Sequence, residues 1–449
     1  MSVGERYAAS PRDGALDLDG WPERLRGWAA PRQGRLGLLG CVVCAVVIAL
    51  CADQTDLLLP QSIRPVPAAM AGLFGAHGVD LGMAGVILVI AAMFFSYVAT
   101  VAAWQQLSGP LVWSAIVLVN GLVLLGPPLI STDVFSYIAY GRLGAIYHAN
   151  PYLYGPSAIA LDPLYPFIGS QWVSTPTAYG PLFTGLSYLL TPLGIASGVL
   201  AYKAIGAFSC ALVLAVSWHA ARLRGFHPVK AVALVGLNPI TVVYGLGGGH
   251  NDLLMLAAMM LGLWALLLRR RAAGGGLLVI GAAIKLTAGV MLPFALARDA
   301  AAARGRERRA LLAGAAFAGA GALALSIVLF GAGPLHLAVT LASIQAKGGV
   351  HSIPGLVLTV LGLGGAGAIV GAVLDVATLV FIAWLVRRVW RGELDWIEGA
   401  AWAMVALLIT AGLLLPWYVS WLVPLAAISR ERRLTVAMLL LTAACLTTL

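Results

Sequence analysis

The sequence from residue 126 to residue 142, GPPLISTDVFSYIAYGR, joins an apolar run to a long polar loop and decides how the rest of the chain is interpreted. The residues before it are almost all apolar, whereas residues 131–178 are rich in Tyr, Trp, Pro and Asn. Most other connections in the chain are far shorter. Asp133 opens the loop, with Arg142 one short helix further on. The loop is therefore the first place to look for a functional site.

Composition places the chain in a membrane. It has 449 residues, of which 61% are hydrophobic and only 10% are charged. Many apolar runs approach the roughly 20 residues that an α-helix needs to cross a bilayer. We expect an all-α polytopic membrane protein with about 11 to 13 transmembrane helices of this kind. No internal repeat typical of inverted-repeat transporters is visible.

The net charge of +10 would also fit a protein that binds nucleic acid, but the basic residues stand in short loops between apolar runs. Such clusters mark the cytoplasmic ends of spans, so no nucleic-acid partner is expected. The clusters fall at residues 24–35, 222–230, 269–271, 304–309, 387–391 and 430–433. Residues 1–35 are predicted to be a cytoplasmic basic tail and residues 36–449 a single transmembrane domain. Residues 131–198 then form an extracytoplasmic loop of a plasma-membrane protein.

Two segments do not fit simple crossings. If the basic clusters are all cytoplasmic, residues 180–196 form an interfacial or re-entrant helix, although an ordinary span is the alternative. The apolar stretch between Arg271 and Arg304 is too short to cross twice, and Lys285 interrupts it. We predict two half-length helices there, each of about ten residues. Lys285 would lie at their tip, on the floor of a water-filled cavity.

Asp133 is the candidate catalytic residue. Transfer of a sugar to a hydroxyl group with inversion needs one carboxylate that takes the proton of the acceptor. Alternatively, Asp133 caps a helix over residues 134–147. The spacing of apolar residues predicts that this helix lies along the membrane surface. Arg142 could then bind a phosphate group through two hydrogen bonds or anchor a lipid headgroup.

Further polar and aromatic groups fall on the same predicted side. Sugars stack on aromatic rings, although Tyr and Trp also line membrane interfaces without touching a ligand. The glycines at residues 247–249 precede a helix start that suits an anion, with Asn251 or Asp252 as its cap. A metal site formed by His250 and Asp252 is the weaker alternative, because no second pair of ligands is spaced for it.

Lys285 is a functional candidate because a charge inside the membrane is costly. A lipid phosphate is its expected partner, and an ion pair with Asp375, which is also embedded in an apolar run, is the alternative. Lys347 and His351 would face the same side and could also neutralise phosphate. The five cysteines are scattered, and we interpret them as packing residues.

The order of these motifs resembles the actinobacterial polyprenol-phosphate-mannose-dependent mannosyltransferases, which have the GT-C fold. The resemblance covers about residues 80 to 430, and its order is more specific than any single motif. The motifs are DVF at 133–135, Tyr137, GR at 141–142, NPY at 150–152, YGP at 179–181, NP at 238–239, GHND at 249–252, KLT at 285–287 and PWY at 416–418.

The resemblance implies a GT-C-like fold whose extracytoplasmic catalytic loop carries juxtamembrane helices and faces the periplasm. It implies Asp133 as general base, polyprenyl-phosphate-mannose as donor, and a glycolipid or mannoside acceptor of the mannan or lipomannan type, extended through an α-1,6 bond. Many GT-C enzymes have paired acids in this loop, whereas this chain has Thr132 before Asp133. We therefore expect no metal and no other cofactor.

The candidate site residues fall into two groups besides Asp133. Those expected to bind the donor phosphate are Arg142, His250, Lys285, Lys347 and His351. Those expected to bind the sugar or acceptor are Tyr137, Asn150, Tyr152, Tyr179, Asn251, Asp252, Trp417 and Tyr418. Two other functions stay open: a secondary transporter or lipid flippase, and a GT-C transferase that uses another lipid-linked sugar such as arabinose or glucose.

Overall fold

A computed structural model describes residues 32–64, 66–73, 77–301, 305–347 and 349–446. Within these ranges the chain forms α-helices, short 3-10 helices, a π-helix and loops, and no β-strand. The predicted all-α architecture is confirmed. Most of the predicted basic tail lies outside the described residues.

The α-helices of the described ranges are numbered here in chain order. They are α1 Gln33–Cys51, α2 Gly82–Ala102, α3 Gly109–Leu124, α4 Asp133–Ala145, α5 Pro181–Leu190, α6 Gly194–Leu223, α7 Pro228–Gly236, α8 Asp252–Leu267, α9 Arg271–Ile284, α10 Met291–Ala301, α11 Gly305–Phe330, α12 Leu337–Ala346, α13 Ile353–Val360, α14 Gly367–Trp390, α15 Trp396–Thr410, α16 Val423–Ala427 and α17 Arg432–Leu446.

The chain is a multi-pass membrane protein with a GT-C-like helical architecture. Five helical segments among the described residues are long and apolar enough to cross a bilayer: α1, α2, the run from α5 through α6, α11, and residues 364–390. A sixth arises if α7 and the π-helix Ile240–Leu246, bent by 47° against each other, count as one span. The remaining crossings of the predicted 11 to 13 would have to be made by shorter apolar helices such as α3, α8, α9 and α15. That count stays a prediction.

Residues 180–196 contain α5, a helix of ten residues. At 1.5 Å per residue such a helix is about 15 Å long, half the thickness of a hydrocarbon core. It leads through a short 3-10 turn into α6, which has 30 residues and is long enough to span on its own. The interfacial or re-entrant position of this helix stays a prediction.

The predicted break at Lys285 is confirmed. Helix α9 ends at Ile284, Lys285 is extended with φ −149° and ψ 125°, and α10 begins at Met291 after a 3-10 turn. The first arm has 14 residues and the second has 11, slightly more than predicted. The backbone N–H of Gly180 donates to the carbonyl of Ile284 at 2.9 Å, so the polar loop is fastened directly to the break.

The first loop helix is not open to water on its polar side, and its position along the membrane surface stays a prediction. Helix α4 begins at Asp133 and is buried on every side through Gly141. Ser136, a polar residue of this helix, is only 4% exposed. The hydroxyl group of Tyr140 donates to the backbone carbonyl of Thr175 at 2.9 Å. The rest of the loop folds back over the helix and buries the polar face that the sequence pattern predicted to be exposed to water.

The segment that leads into α4 is held tightly. Ile130 has φ +64°, a left-handed conformation that costs a β-branched residue on the order of 1–3 kcal/mol. Its neighbour Leu129 donates through its N–H to the carbonyl of Gly247 at 2.9 Å. A side chain at Gly247 would collide with Leu129 and Val123, so glycine allows this close approach. The contact places the turn that carries His250 beside the start of α4.

Lys203 is a buried intramembrane cation that the sequence reading missed. It lies on α6 and is 2% exposed. Its ammonium group donates to the carbonyls of Val123, Gly126 and Pro127 at 3.0, 2.6 and 2.9 Å. A cation at these carbonyls satisfies the end of α3 and complements its helix dipole. Lys203 therefore stabilises the segment that leads into α4, through the carbonyls that precede Leu129 and Ile130.

Candidate active site

A pocket lies where the start of α4 meets the break at Lys285. It is closed by the polar loop on one side and by the segment after α15 on the other. Its lining residues are Asp133, Ser136, Tyr140, Trp172, Thr175, Ala178, Tyr179, Lys285, Leu341, Ile344, Gln345, Leu415, Trp417 and Tyr418. The structure thus brings together Asp133, Tyr179, Lys285, Trp417 and Tyr418 from the predicted site.

The carboxylate of Asp133 is turned toward the pocket. Asp133 is the first residue of α4, and the N-cap position is Thr132, whose side chain makes no capping hydrogen bond. The side chain of Asp133 is 14% exposed. Its Oδ2 lies 3.4 Å from Nδ1 of His250 and 3.5 Å from the hydroxyl of Tyr179. Both contacts are long for hydrogen bonds to a carboxylate, so the group is oriented without being tightly bound.

The surroundings keep Asp133 ionised. Burial by itself would raise the pKa of this carboxyl group, but the hydrogen bond and charge of His250, then the charge of Lys285 and the Ser131 hydroxyl, outweigh it. The pKa therefore lies below the ordinary value of 3.8. Burial, and after it the charge of Asp133, raises the pKa of Tyr179 well above its usual range. At neutral pH the site thus presents a carboxylate and a protonated phenol.

His250 lies behind Asp133 and does not line the pocket. Its ring is buried and stacks on Trp417 with centroids 3.7 Å apart. Nδ1 faces both Asp133 and the hydroxyl of Tyr137, the latter at 3.5 Å. Nε2 has no hydrogen-bond partner among the described residues. This position favours a role in holding the carboxylate over the predicted contact with phosphate.

Lys285 forms a buried ion pair with Asp252. The ammonium nitrogen lies 2.7 Å from Oδ1 of Asp252, and the indole N–H of Trp421 donates to the same oxygen. Lys285 also lies over the rings of Tyr418 and Trp421, at 4.6 and 5.0 Å from their centroids. Cation–π contacts of this kind add to the attraction. The alternative partner considered for Lys285, Asp375, is exposed on α14, and that pairing is wrong.

The helix start that follows the glycines is not capped as predicted. Asn251 holds the N-cap position of α8 without a side-chain capping bond, and Asp252 is the first residue of the helix. The amide of Asn251 and Oδ2 of Asp252 are buried and have no hydrogen-bond partner among the described residues. Neither side chain lines the pocket, and Asp252 is linked to it through the ion pair with Lys285.

Arg142 is committed to an ion pair within the loop. Its Nε lies 3.0 and 2.8 Å from the two carboxylate oxygens of Asp162, and Nη2 lies 2.7 Å from one of them. Tyr147 donates a further hydrogen bond to Asp162 at 2.8 Å, and the backbone N–H of Leu164 another at 2.9 Å. The structure does not place Arg142 among the residues that line the pocket.

Asn150 and Tyr152 brace the loop from outside the pocket. The amide of Asn150 donates to the carbonyl of Phe330 at 2.8 Å. The hydroxyl group of Tyr152 donates to the carbonyl of Tyr179 at 2.9 Å. Both side chains therefore act on the loop that carries Tyr179 and are not part of the lining.

The segment that carries Lys347 and His351 contributes a cation at the rim of the pocket. Lys347 donates to the hydroxyl of Thr175 at 3.0 Å and lies 5.5 Å from the ring centroid of Trp172. His351 has an exposed side chain, and its carbonyl accepts a hydrogen bond from Leu414 at 2.8 Å. Only Lys347 of this pair reaches the groups that line the pocket.

Several lining residues were missed by sequence reasoning. Trp172 and Thr175 stand in the aromatic-rich loop, which gave a signal for the loop but not for these positions. Trp421 does not line the pocket but contacts Asp252 and Lys285, and it could have been included because it follows the PWY motif by three residues. Gln345, whose Oε1 accepts from the N–H of Leu413 at 3.1 Å, stands in an apolar helix and gave no signal.

These features define a class: an all-α, multi-pass membrane protein whose polar loop folds over a pocket lined by a carboxylate, a lysine and aromatic rings. The chain belongs to the alpha-(1->6)-mannopyranosyltransferase family. The family model described as "Alpha-(1->6)-mannopyranosyltransferase, N-terminal domain" matches residues 34–301, and the model "MptB C-terminal domain" matches residues 348–449. The resemblance noted from the motifs is confirmed.

Curated relatives come from mycobacteria and corynebacteria. Alpha-(1->6)-mannopyranosyltransferase A of Mycobacterium tuberculosis is 27% identical over 345 residues, which cover 70% of this chain and 64% of the relative. The protein of the same name from Corynebacterium glutamicum is 26% identical and covers 68% of each chain. Alpha-(1->6)-mannopyranosyltransferase B of Corynebacterium glutamicum is 28% identical over 68% of this chain and 56% of its own length. The match thus spans less than two thirds of the first of these relatives. No solved structure matches the chain.

Proposed function

We propose that the protein is an integral-membrane mannosyltransferase that moves mannose from polyprenyl-phosphate-mannose to a mannan- or lipomannan-type acceptor, through an α-1,6 bond and with inversion. The observation that carries the proposal is the pocket itself: an ionised, loosely held Asp133 faces the same space as Lys285 and a set of aromatic rings. Membership of the family and the names of its relatives support the choice of sugar.

In the proposed reaction, the hydroxyl oxygen of the acceptor attacks the anomeric carbon of the donor from the side opposite the phosphate. The carbon–oxygen bond to the phosphate breaks, and polyprenyl phosphate leaves with the electron pair. Asp133 takes the proton of the acceptor hydroxyl as the new glycosidic bond forms. Because the pKa of Asp133 is low, it is a weak base, suited to a proton that becomes acidic only during the attack.

The leaving phosphate needs fixed positive charge. Lys285 lines the pocket and is held in place by Asp252 and two aromatic rings, so it is oriented before the donor arrives. A preorganised charge of this kind stabilises the transition state without reorganisation at the moment of reaction. Lys347, bound to Thr175 at the rim, would be a second cation for the phosphate.

The aromatic residues suit the sugar. Tyr179, Trp417 and Tyr418 line the pocket, and Trp172 stands at its rim beside Lys347. Rings of this kind present a flat apolar surface to the C–H face of a sugar and keep a polar edge for hydrogen bonding. Because the basic clusters mark the cytoplasmic ends of the helices, we place this pocket on the periplasmic side of the plasma membrane.

The test is a transfer assay with purified protein in liposomes. Labelled polyprenyl-phosphate-mannose and an α-mannoside acceptor are supplied to the wild type, to Asp133→Asn and to Asp375→Asn. The first variant should lose transfer by about 10³-fold, the range of general-base catalysis. Asp375→Asn makes the same chemical change at an exposed position and should leave transfer unchanged.

Normal turnover by a folded Asp133→Asn protein would remove the base from the mechanism. Replacing the donor with polyprenyl-phosphate-arabinose or polyprenyl-phosphate-glucose tests the sugar, and faster transfer from either would replace mannose in the proposal. Movement of intact donor between leaflets of sealed vesicles, without a new glycosidic bond, would instead indicate a flippase.

A further inference from the structure

A second cavity lies at the arginine-rich end of the molecule. It encloses about 440 Å³ and is formed where the ends of several helices meet. The residues that matter here are Trp104, Gln105, Phe226, Lys230 and Thr435, all of which line it.

This cavity is remote from the candidate active site. Helix α3 separates Gln105 from the segment that leads to Asp133, and its 16 residues are about 24 Å long. Arg224, one residue before the lining residue Gly225, binds Asp395 at the start of α15, whose far end leads into the pocket segment. The two cavities therefore open at opposite ends of the same helices.

The second cavity is lined by a positively charged side chain, Lys230, that has no partner among the described residues. Lys230 is half-buried, and no ion pair or hydrogen bond of its ammonium group is seen with any described residue. Arg432 lies close enough to repel it electrostatically. No Asp or Glu is among the described lining residues. The nearby acids are engaged elsewhere: Glu398 accepts from the N–H of Arg430, and Glu431 accepts from the indole of Trp402.

Two helices begin at this cavity. Helix α7 starts at Pro228, and helix α17 starts at Arg432, with Thr435 in its first turn. The N-terminal end of a helix carries partial positive charge and unpaired N–H groups, and both favour an anion. Lys230 and the amide of Gln105 also line the cavity, so their hydrogen-bond donors and the partial positive charge of the two helix ends surround the same space.

We propose that this cavity binds a phosphate group at the cytoplasmic end of the protein, carried either by a lipid headgroup or by a soluble phosphate. A phosphate group would pair with the charge of Lys230 and would also interact favourably with the partial positive charge of the two helix ends. Trp104 and Phe226 provide an apolar wall beside these donors, as a binding site at a membrane surface requires. The site is separate from the transfer chemistry and does not depend on it.

The test uses a fluorescent short-chain phosphatidic acid titrated into the full-length protein in a neutral detergent. Lys230→Gln should weaken binding by about 10-fold, since a hydrogen-bonded charge is lost. Gln105→Ala should weaken binding by about 3-fold. This second variant tests the site if Lys230→Gln does not fold. Arg433→Gln removes one exposed charge at the same end without touching the lining and should change binding less than about 2-fold.

Inorganic phosphate distinguishes the two sources. Displacement of the probe by phosphate alone shows that the anion suffices, whereas binding that resists it shows that the lipid is required, and either result supports the site. The proposal is overturned if the probe does not bind the wild type, if the folded lining variants bind as the wild type does, or if Arg433→Gln weakens binding as much as they do. Mannosyl transfer measured on the same variants should stay unchanged. The binding assay therefore tests this cavity, and the transfer assay tests the proposed function independently.

Discussion

Two aspartates of the same polar loop have opposite surroundings. Asp162 is bound by Nε and Nη2 of the Arg142 guanidinium, by the hydroxyl of Tyr147 and by the backbone N–H of Leu164, at distances from 2.7 to 3.0 Å. The contacts of the Asp133 carboxylate with His250 and Tyr179 are longer, at 3.4 and 3.5 Å, and Asp133 faces a pocket. The first carboxylate is fully used by the fold, and the second is left available.

The difference separates a structural from a chemical role. Hydrogen bonds and the Arg142 charge outweigh burial and hold the pKa of Asp162 low, and the same balance lowers the pKa of Asp133. A lowered pKa therefore does not tell the two apart. What distinguishes Asp133 is unused acceptor capacity beside a cavity, because a bound carboxylate cannot receive a proton from a substrate.

After Asp133→Asn, the largest effect is expected at Lys285, which is tightly paired and also lines the pocket. Lys285→Gln should lower kcat/KM for mannosyl transfer by about 10² to 10³-fold, because the leaving phosphate loses its fixed positive charge. The variant should also melt at a lower temperature, since Asp252 is left as a buried, unpaired charge. Transfer kinetics and thermal unfolding in the same detergent measure the two consequences.

The double variant Lys285→Gln with Asp252→Asn separates the two consequences. It removes the buried charge and should recover most of the lost melting temperature, whereas transfer should stay as low as in the single variant. Recovery of transfer together with stability would show that Lys285 only neutralises Asp252.

An intermediate effect, on stability alone, is expected at Asp162. Asp162→Asn breaks a pair in which Asp162 is fully buried and Arg142 is 16% exposed, so the free energy of unfolding should fall by about 2 to 4 kcal/mol. The KM for the donor should stay the same, because Arg142 does not line the pocket. Thermal unfolding and donor titration test the two statements separately.

Asp56→Asn is the matched control for that experiment. It removes one partner of the ion pair with Arg64, where the Asp56 side chain is 65% exposed, and should change stability by less than about 1 kcal/mol. If Asp162→Asn instead raised the KM for the donor while the protein stayed as stable as the wild type, the original assignment of Arg142 to the phosphate would regain support.

The sequence predicted the members of the site better than their partners. Asp133, Tyr179, Lys285, Trp417 and Tyr418 could be assigned because polar and aromatic groups between apolar runs must gather where the helices end. The break at Lys285 followed from arithmetic on helix length. These inferences use only local composition and the thickness of a bilayer.

The partners depend on which helix faces lie together, and a single sequence does not show that. Asp375 and Asp252 are both acids near apolar runs, but only Asp252 is turned toward Lys285. Helix α4 appeared amphipathic, yet the loop that follows it supplies the cover for its polar face. The pair of Arg142 with Asp162 arises in the same way, within a loop that has no periodic pattern to analyse.

The smallest effect is expected for His250, which lies behind Asp133, and it tests whether His250 controls the pKa of that carboxyl group. His250→Phe keeps an aromatic ring on Trp417 but removes the hydrogen bond and charge that lower the pKa of Asp133. Burial then dominates and the pKa of the carboxyl group rises. Asp133 acts as a base only when ionised, so activity disappears as the pH falls through its pKa. The acid limb of the rate profile, measured from about pH 2 to pH 8, should therefore move to higher pH.

His250→Gln is the matched comparison for this shift. Glutamine can still donate a hydrogen bond to Asp133, so its acid limb should move less than that of His250→Phe, with a smaller loss of transfer at pH 8. An unmoved limb in both variants, with a raised KM for the donor instead, would return His250 to the phosphate role that its motif suggested. Equal shifts in both would mean that packing on Trp417, and not the hydrogen bond, holds the carboxylate in place.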